Sequence, residues 1–203
     1  RKGMIDNLAV NKIAKNVGNA IDLPTSQLKT LSRTAITETS SNVSNATYKL
    51  NEDVIDGYQY VATLDSRTSM ICGRLDGKVF RLDDSRGVRP PQHFNCRSTT
   101  VPIVKSYEDL NNTNSSRISK RKLQRISKSK RASFNGQVAS ETNYAKFLSE
   151  QDDNFKLTVL GNKRRVEIFN TGKLKFTQFS TRDGELVSVS RLEELLNGIK
   201  SKK

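Results

Sequence analysis

PPQHFNCRST, residues 90–99, holds the chain's one histidine, His93, and one of its two cysteines, Cys96. The other cysteine, Cys72, lies in DSRTSMICGRLDGK, residues 65–78. Together the two stretches allow three readings: a catalytic site, a metal site, or the locked corner of a small fold. Their local chemistry favours the corner. Asp65 follows an apolar run, and DSRTS can cap the next turn through its side-chain oxygens. Thr68 belongs to that same cap. Arg67 can form a two-point pair with a carboxylate such as Asp76. Asp76-Gly77 is a turn signal between apolar runs. Pro90 and Pro91 stiffen the approach to His93, and Asn95 tolerates a left-handed backbone.

The alternatives need more than these stretches supply. Cys72, His93 and Cys96 are zinc-type donors, with Asp65 or Asp76 as a fourth ligand. Structural zinc sites usually carry two closely spaced ligand pairs, and here there is one, His93-x-x-Cys96. The expectation is therefore no cofactor and no metal, with zinc on those three residues as the weaker reading. A nucleophilic Cys–His pair requires a lowered thiol pKa and an oxyanion pocket, which no motif marks. A nuclease, metal-dependent or His-based, is the stronger enzymatic alternative, with His93 as general base and Arg67 or Arg97 on the phosphate. One histidine beside arginines is thin support for it, and the chain reads as a non-enzyme.

Outward from this centre, GYQYVATL (57–64), KVFRL (78–82) and RSTTVPIV (97–104) read as strands. Pro102 puts the last of them at an edge or a strand end. Residues 4 to 22 place Ile5, Leu8, Ala9, Ile13, Val17, Ala20 and Ile21 at helical spacing, and Pro24 ends that helix. A second helix follows, with Thr25 or Ser26 as its cap and Leu28, Leu31, Ala35, Val43, Ala46 and Leu50 as its stripe. Its many Ser and Thr residues make it a poor isolated helix, so it needs a surface to pack on.

The chain has 203 residues, 34% of them apolar, and a net charge of +14. That balance suits a polyanionic partner. No stretch approaches the roughly 20 apolar residues of a membrane-spanning helix, so no membrane partner is expected. Two cysteines do not make a disulfide scaffold and suit a reducing compartment. Residues 111–133 contain no acidic residue. Within them Arg117, Lys120, Arg121, Lys122, Arg125, Lys128, Lys130 and Arg131 carry more than half of the net charge. Such a segment can neutralise DNA phosphates without reading sequence, and its self-repulsion opposes compaction.

After it, residues 140–151 read as a helix capped by Ser140, with Tyr144, Phe147 and Leu148 on one face. The stretch 174–199 reads as a strand or strand pair, an Asp183-Gly184 turn, and a helix from Ser190 to Leu196. Ser190 and Glu193 form its capping box, and Gly198 is its stop. The fold class is α+β. Residues 1–56 form an N-terminal helical part, 57–110 a β-rich core bound by turns, 111–134 a basic linker, and 135–203 a small α+β unit.

YVATLDSRTSMICGRLDGKVF (60–80) followed by RPPQHFNCRSTTVP (89–102) resembles the phage Mu protein F-like family, the minor head or head morphogenesis proteins of tailed bacteriophages. Several independent words stand in the right order: a strand, D-x-R-T-S, C-x-x-L-D-G-K-x-[FY], then P-P-x-H-x-N-C-R-S. LSRTAITETSSNVSNA is similar to the family's preceding helix, and the segments downstream of residue 135 to its tail, so the resemblance runs from 28 to 196. Some members carry a further cysteine near the position of Ser69, which lowers the metal reading again. The resemblance implies a virion component inside the head near the portal, assembled in the cytoplasm of a host bacterium. It implies action in head assembly and in packaging or ejection of DNA. The portal protein, other head proteins and packaged double-stranded DNA are the implied partners. Asp65, Arg67, Thr68, Cys72, Asp76, Gly77, Pro91, His93, Asn95, Cys96 and Arg97 would be its structural core motif, with no catalytic residue. A free cytosolic nucleic-acid-binding protein is the remaining alternative.

Overall fold

A computed structural model of the chain describes residues 9–18, 23–105 and 130–200. It is α+β, with helices and small antiparallel sheets. The chain divides into two compact units: residues up to Val61 together with those from Val79 onward to Gln124, and Ala62–Lys78 together with Arg125–Lys203. This division does not follow the boundaries expected at 57, 110 and 135. The D-x-R-T-S and L-D-G-K words fall in the second unit, and H-F-N-C in the first.

In the first unit, helix α1 (Val10–Gly18) packs against α2 (Thr25–Leu50). The 26 residues of α2 span about 39 Å at 1.5 Å per residue. Pro24 precedes its first turn and supplies no side-chain cap, so the role expected of Thr25 or Ser26 is not used. Two of its threonines bond back into the helix, Thr34 Oγ1 to the Thr30 carbonyl at 2.8 Å and Thr47 Oγ1 to the Val43 carbonyl at 2.9 Å. The sheet has the order β2 (Val79–Arg81), β1 (Ile55–Val61), β3 (Thr99–Val104), antiparallel throughout. Pro102 sits on β3 at the sheet edge, where a missing N–H does not interrupt a ladder. Tyr58 and Tyr60, two apart on central strand β1, are both fully buried. Tyr58 stacks on Phe80 with ring centroids 5.5 Å apart. Tyr48, Ile55 and Tyr58 form the buried cluster, with Val54, Phe80 and Leu82 against it. A Cβ at Gly57 would collide with the Phe80 carbonyl oxygen, so this crossing requires glycine.

The second unit holds α3 (Met70–Leu75), a hairpin of β4 (Lys130–Ser133) and β5 (Gly136–Ala139), and helices α4 (Tyr144–Ser149), α5 (Asp153–Leu160), α6 (Lys163–Asn170) and α7 (Val189–Lys200). Its core gathers Leu64, Met70, Tyr144, Phe147, Leu160, Phe176, Phe179 and Leu192, among others. The rings meet tilted or edge-on, with Tyr144–Phe176 and Phe169–Phe179 both at 5.5 Å. The helix starts are capped locally: Asn143 accepts from Lys146 N–H, Asp152 from Phe155 N–H and Asn162 from Arg164 N–H. Gly161 ends α5 in the left-handed region at φ 66°.

Several expectations change here. Asn143, not Ser140, caps α4, because the chain turns after β5 before the helix begins. The strand or strand pair expected after residue 173 becomes a 3-10 turn, Phe176–Gln178, and a single bridge between Ser180 and Leu186. Phe176 and Phe179, three apart, are both buried, a helical spacing rather than an alternation. Ser188 rather than Ser190 accepts from the Arg191 N–H at 3.3 Å. Glu193 pairs with Arg164 instead of closing a capping box, and α7 runs through Gly198. Residues 130–133, expected in the linker, form a strand.

Candidate functional site

In the first unit, the H-F-N-C turn is seated on α2 by a row of hydroxyls. Asn95 has φ 57°, the left-handed conformation its short amide side chain tolerates. Its backbone N–H donates to Thr34 Oγ1 at 3.1 Å, and its Nδ2 to Thr30 Oγ1 at 3.2 Å. Thr37 Oγ1 donates to the Cys96 carbonyl at 2.9 Å. Thr30, Thr34 and Thr37 share one helix face at spacings of four and three. The hydroxyls that weaken α2 as an isolated helix are thus the groups that hold the turn. Cys96 N–H closes the turn on the His93 carbonyl at 3.2 Å. Cys96 is buried, its Sγ 4.0 Å from the Tyr60 hydroxyl. His93 Nδ1 lies 2.8 Å from the Phe94 carbonyl oxygen. A carbonyl can only accept, so Nδ1 carries the proton. The ligand atoms of His93 and Cys96 lie within 4.8 Å of each other. Pro90 is buried, Pro91 half-buried and Arg97 exposed.

Nearby on β1, the Tyr58 hydroxyl is buried with no hydrogen-bond partner among the described residues. The Arg89 guanidinium lies 4.4 Å from the centre of its ring. Burial pushes the phenol pKa up, Arg89 opposes the shift and Asp84 adds to it.

In the second unit the centre is Asp76, whose side chain is 0% exposed. Oδ1 accepts from the Ala62 N–H at 2.7 Å and Arg131 Nη2 at 2.8 Å. Oδ2 accepts from the Tyr144 N–H at 2.7 Å and Arg131 Nη1 at 2.9 Å. Arg131, 13% exposed, also donates to the Thr142 carbonyl at 2.8 Å and to that of Ala62. One carboxylate thereby fixes the end of β1's continuation, the start of α4 and strand β4. Asp65 forms the expected turn cap, accepting from the Arg67 N–H at 3.0 Å and Thr68 Oγ1 at 3.3 Å. The Tyr144 hydroxyl donates to its carbonyl at 3.0 Å. Cys72 is buried in α3, where its N–H is capped by Ser69 Oγ at 3.3 Å. A Cβ on Gly73 would lie 2.7 Å from the Tyr144 ring and 3.0 Å from Phe176. Gly77 turns the chain at φ 79°.

Two sequence expectations are corrected at this centre. The partner of Asp76 is Arg131, not Arg67, whose side chain is 80% exposed and 3.8 Å from Asp65. Arg131, expected among the DNA-facing cations, has its guanidinium committed to Asp76 and two carbonyls. Lys130 is exposed on β4. Arg117, Lys120, Arg121, Lys122, Arg125 and Lys128 lie outside the described residues. Sequence reasoning misses Arg74, whose guanidinium donates to the Thr177 and Ser180 carbonyls. No motif marks that pairing across about a hundred residues. Neither cysteine is in a disulfide. Asp65, Asp76, Asn95 and Arg131 all work as backbone caps, an arrangement that fixes chain paths.

The stretch 2–101 matches the model of the family described as Phage Mu protein F like protein. It takes in α1, α2, the Asp65 cap, Asp76 and the H-F-N-C turn, and ends within β3. The likeness read downstream, to residue 196, lies outside it. The comparisons with curated proteins and with solved structures returned no match. With both halves of the motif placed on the fold, residues 2–101 are those of a phage Mu protein F-like protein.

Proposed function

We propose that this chain is a minor head protein that sits inside the capsid near the portal and acts in head assembly and in packaging or ejection of DNA. The family match carries the reading. Its N-terminal helical part docks on another head protein, the portal being the expected one. Its basic segment touches the DNA backbone without sequence readout. The charge of +14, concentrated between Arg117 and Lys130, supports that role. No helix among the described residues is long and apolar enough to cross a membrane. The reading includes no catalytic step and no cofactor. Finding about one zinc per purified chain would instead make ligands of His93 and Cys96.

The test of DNA binding is its salt dependence on random-sequence duplex. Changing Lys120, Arg121, Lys122 and Arg125 to Gln should flatten the slope of log K against log salt by about 0.9 for each phosphate no longer neutralised. An unchanged slope removes DNA from the proposal. Cleavage of DNA that His93→Ala abolishes would replace it with the nuclease reading.

A further inference from the structure

Five pairs in this chain place an Asn or Asp directly before glycine: Asp56-Gly57, Asp76-Gly77, Asn135-Gly136, Asp183-Gly184 and Asn197-Gly198. Such pairs are chemically labile. Glycine has no Cβ to shield its backbone nitrogen, which can attack the side-chain carbonyl carbon of the residue before it. An amide is the better target, because an ionised carboxylate repels the nucleophile. The fold separates the five. Gly57 lies in central strand β1, where even a Cβ would collide with the Phe80 carbonyl oxygen. The Asp76 carboxylate is fully buried among its four donors. Gly184 packs on Ile71, and a Cβ there would lie 2.5 Å from the Ile71 Cγ1.

The two Asn-Gly pairs are both exposed, so exposure does not distinguish them. Asn197 and Gly198 lie inside α7. A helix holds ψ at about −42°, and ring closure there requires the turn to open first. Asn135 and Gly136 lie at the tip of the β4–β5 hairpin, where Ser133 pairs with Gly136 across the loop. Gly136 has φ 113°, a conformation that side chains resist, and nothing lies within 4 Å of where its Cβ would stand. The turn therefore requires glycine beside Asn135 and leaves it open to water. One exposed hydrogen bond restrains the Asn135 amide, from Nδ2 to Gln151 Oε1 at 2.9 Å.

We infer that Asn135 deamidates in the folded protein and that its isoaspartyl product unseats the hairpin. The Gly136 nitrogen bonds to Asn135 Cγ, the Cγ–Nδ2 bond breaks, and Nδ2 leaves as ammonia with the displaced amide proton. Water then opens the cyclic imide at either carbonyl, giving aspartate or isoaspartate. Isoaspartate adds a carbon to the main chain, which moves Gly136 out of register with Ser133. Strand β4 brings Arg131 to Asp76, so the change at the tip reaches the buried centre through the hairpin.

The test ages the full chain at mildly alkaline pH and physiological temperature, both folded and in urea. Peptide mapping by mass spectrometry reads the acid form at each pair. Isoaspartyl methyltransferase with labelled S-adenosylmethionine reads isoaspartate. In the folded chain the peptide holding Asn135 should convert at least about tenfold faster than that holding Asn197, and in urea the two rates should converge. Asn135→Gln should remove most of the methyl label. The isoaspartyl fraction, separated by chromatography, should lose hydrogen-exchange protection along β4 and β5. A folded rate at Asn135 no faster than at Asn197 overturns the inference, as does a gap that persists in urea. So does methyl label that survives in Asn135→Gln, or unchanged protection in the isoaspartyl fraction.

Discussion

The H-F-N-C turn and the Asp76 centre do the same job, fixing a turn-rich path with few apolar residues, by different physics. The turn is held by neutral hydroxyl and amide hydrogen bonds at the edge of a solvent-facing helix. Asp76 is held by four donors, two of them from one guanidinium, with its carboxylate fully buried. Neutral bonds of the first kind contribute about 0.5–1.5 kcal/mol each, and breaking one leaves the rest in place. Breaking a buried ion pair costs about 3–5 kcal/mol, because the surviving charge has no replacement solvent. One hydrogen bond lost from the H-F-N-C turn is therefore a small perturbation, whereas losing Asp76 removes four bonds at once from the centre where Ala62, Tyr144 and Arg131 meet.

The contrast is sharpest at Asp76. Asp76→Ala strands Arg131 and two backbone N–H groups, and should lower unfolding free energy by about 3–5 kcal/mol in urea titration. Arg67→Ala should change it by less than about 0.5 kcal/mol, since that side chain is solvated. Equal effects from the two would make Arg67 the partner its spacing suggests and break the comparison.

In the first unit, Thr34→Val removes the acceptor of the Asn95 N–H while keeping the side chain's size. A destabilisation of about 1 kcal/mol is expected, with faster hydrogen exchange at Asn95. A destabilisation as large as that of Asp76→Ala would mean the turn is as indivisible as the buried centre.

The smallest effect concerns Tyr58, a buried ionisable group that, unlike Asp76, is neutral and has no hydrogen bond to its hydroxyl among the described residues. Its raised pKa means that the folded phenol keeps its proton to higher pH than the unfolded one, which titrates near 10. The folded state binds more protons in that window, so stability present below about pH 10 is lost as pH rises through and beyond it. Tyr58→Phe should be within about 1 kcal/mol of the parent at pH 7 and lose less stability between about pH 10 and 11, read from denaturation midpoints at each pH. Identical pH profiles for the two proteins would remove Tyr58 as the cause.

Much of this is legible locally. Asp65 caps its turn, Asn95 is left-handed, Asp76-Gly77 turns the chain, and Pro102 sits at an edge. Each follows from one residue's own torsions or from bonds to the next few residues. The strands around Tyr58 and Phe80 are legible from β-branched and aromatic runs. The stretch 173–187 is not, because a short apolar run suits a strand or a buried turn equally until its packing surface is known.

The sequence by itself determined the Asp65 cap, the turns at Asp76-Gly77 and Asn95, the cationic segment and the family's words, since those depend on side chains acting on their own neighbourhood. Tertiary structure alone decided that Arg131 rather than Arg67 completes Asp76, that Ala62–Lys78 packs with the C-terminal residues, and that the threonines of α2 are a seat for Asn95. A guanidinium can reach any carboxylate, and a hydroxyl any amide. Which one it meets is set by burial and chain path over 55 or more residues, and no local pattern carries that distance.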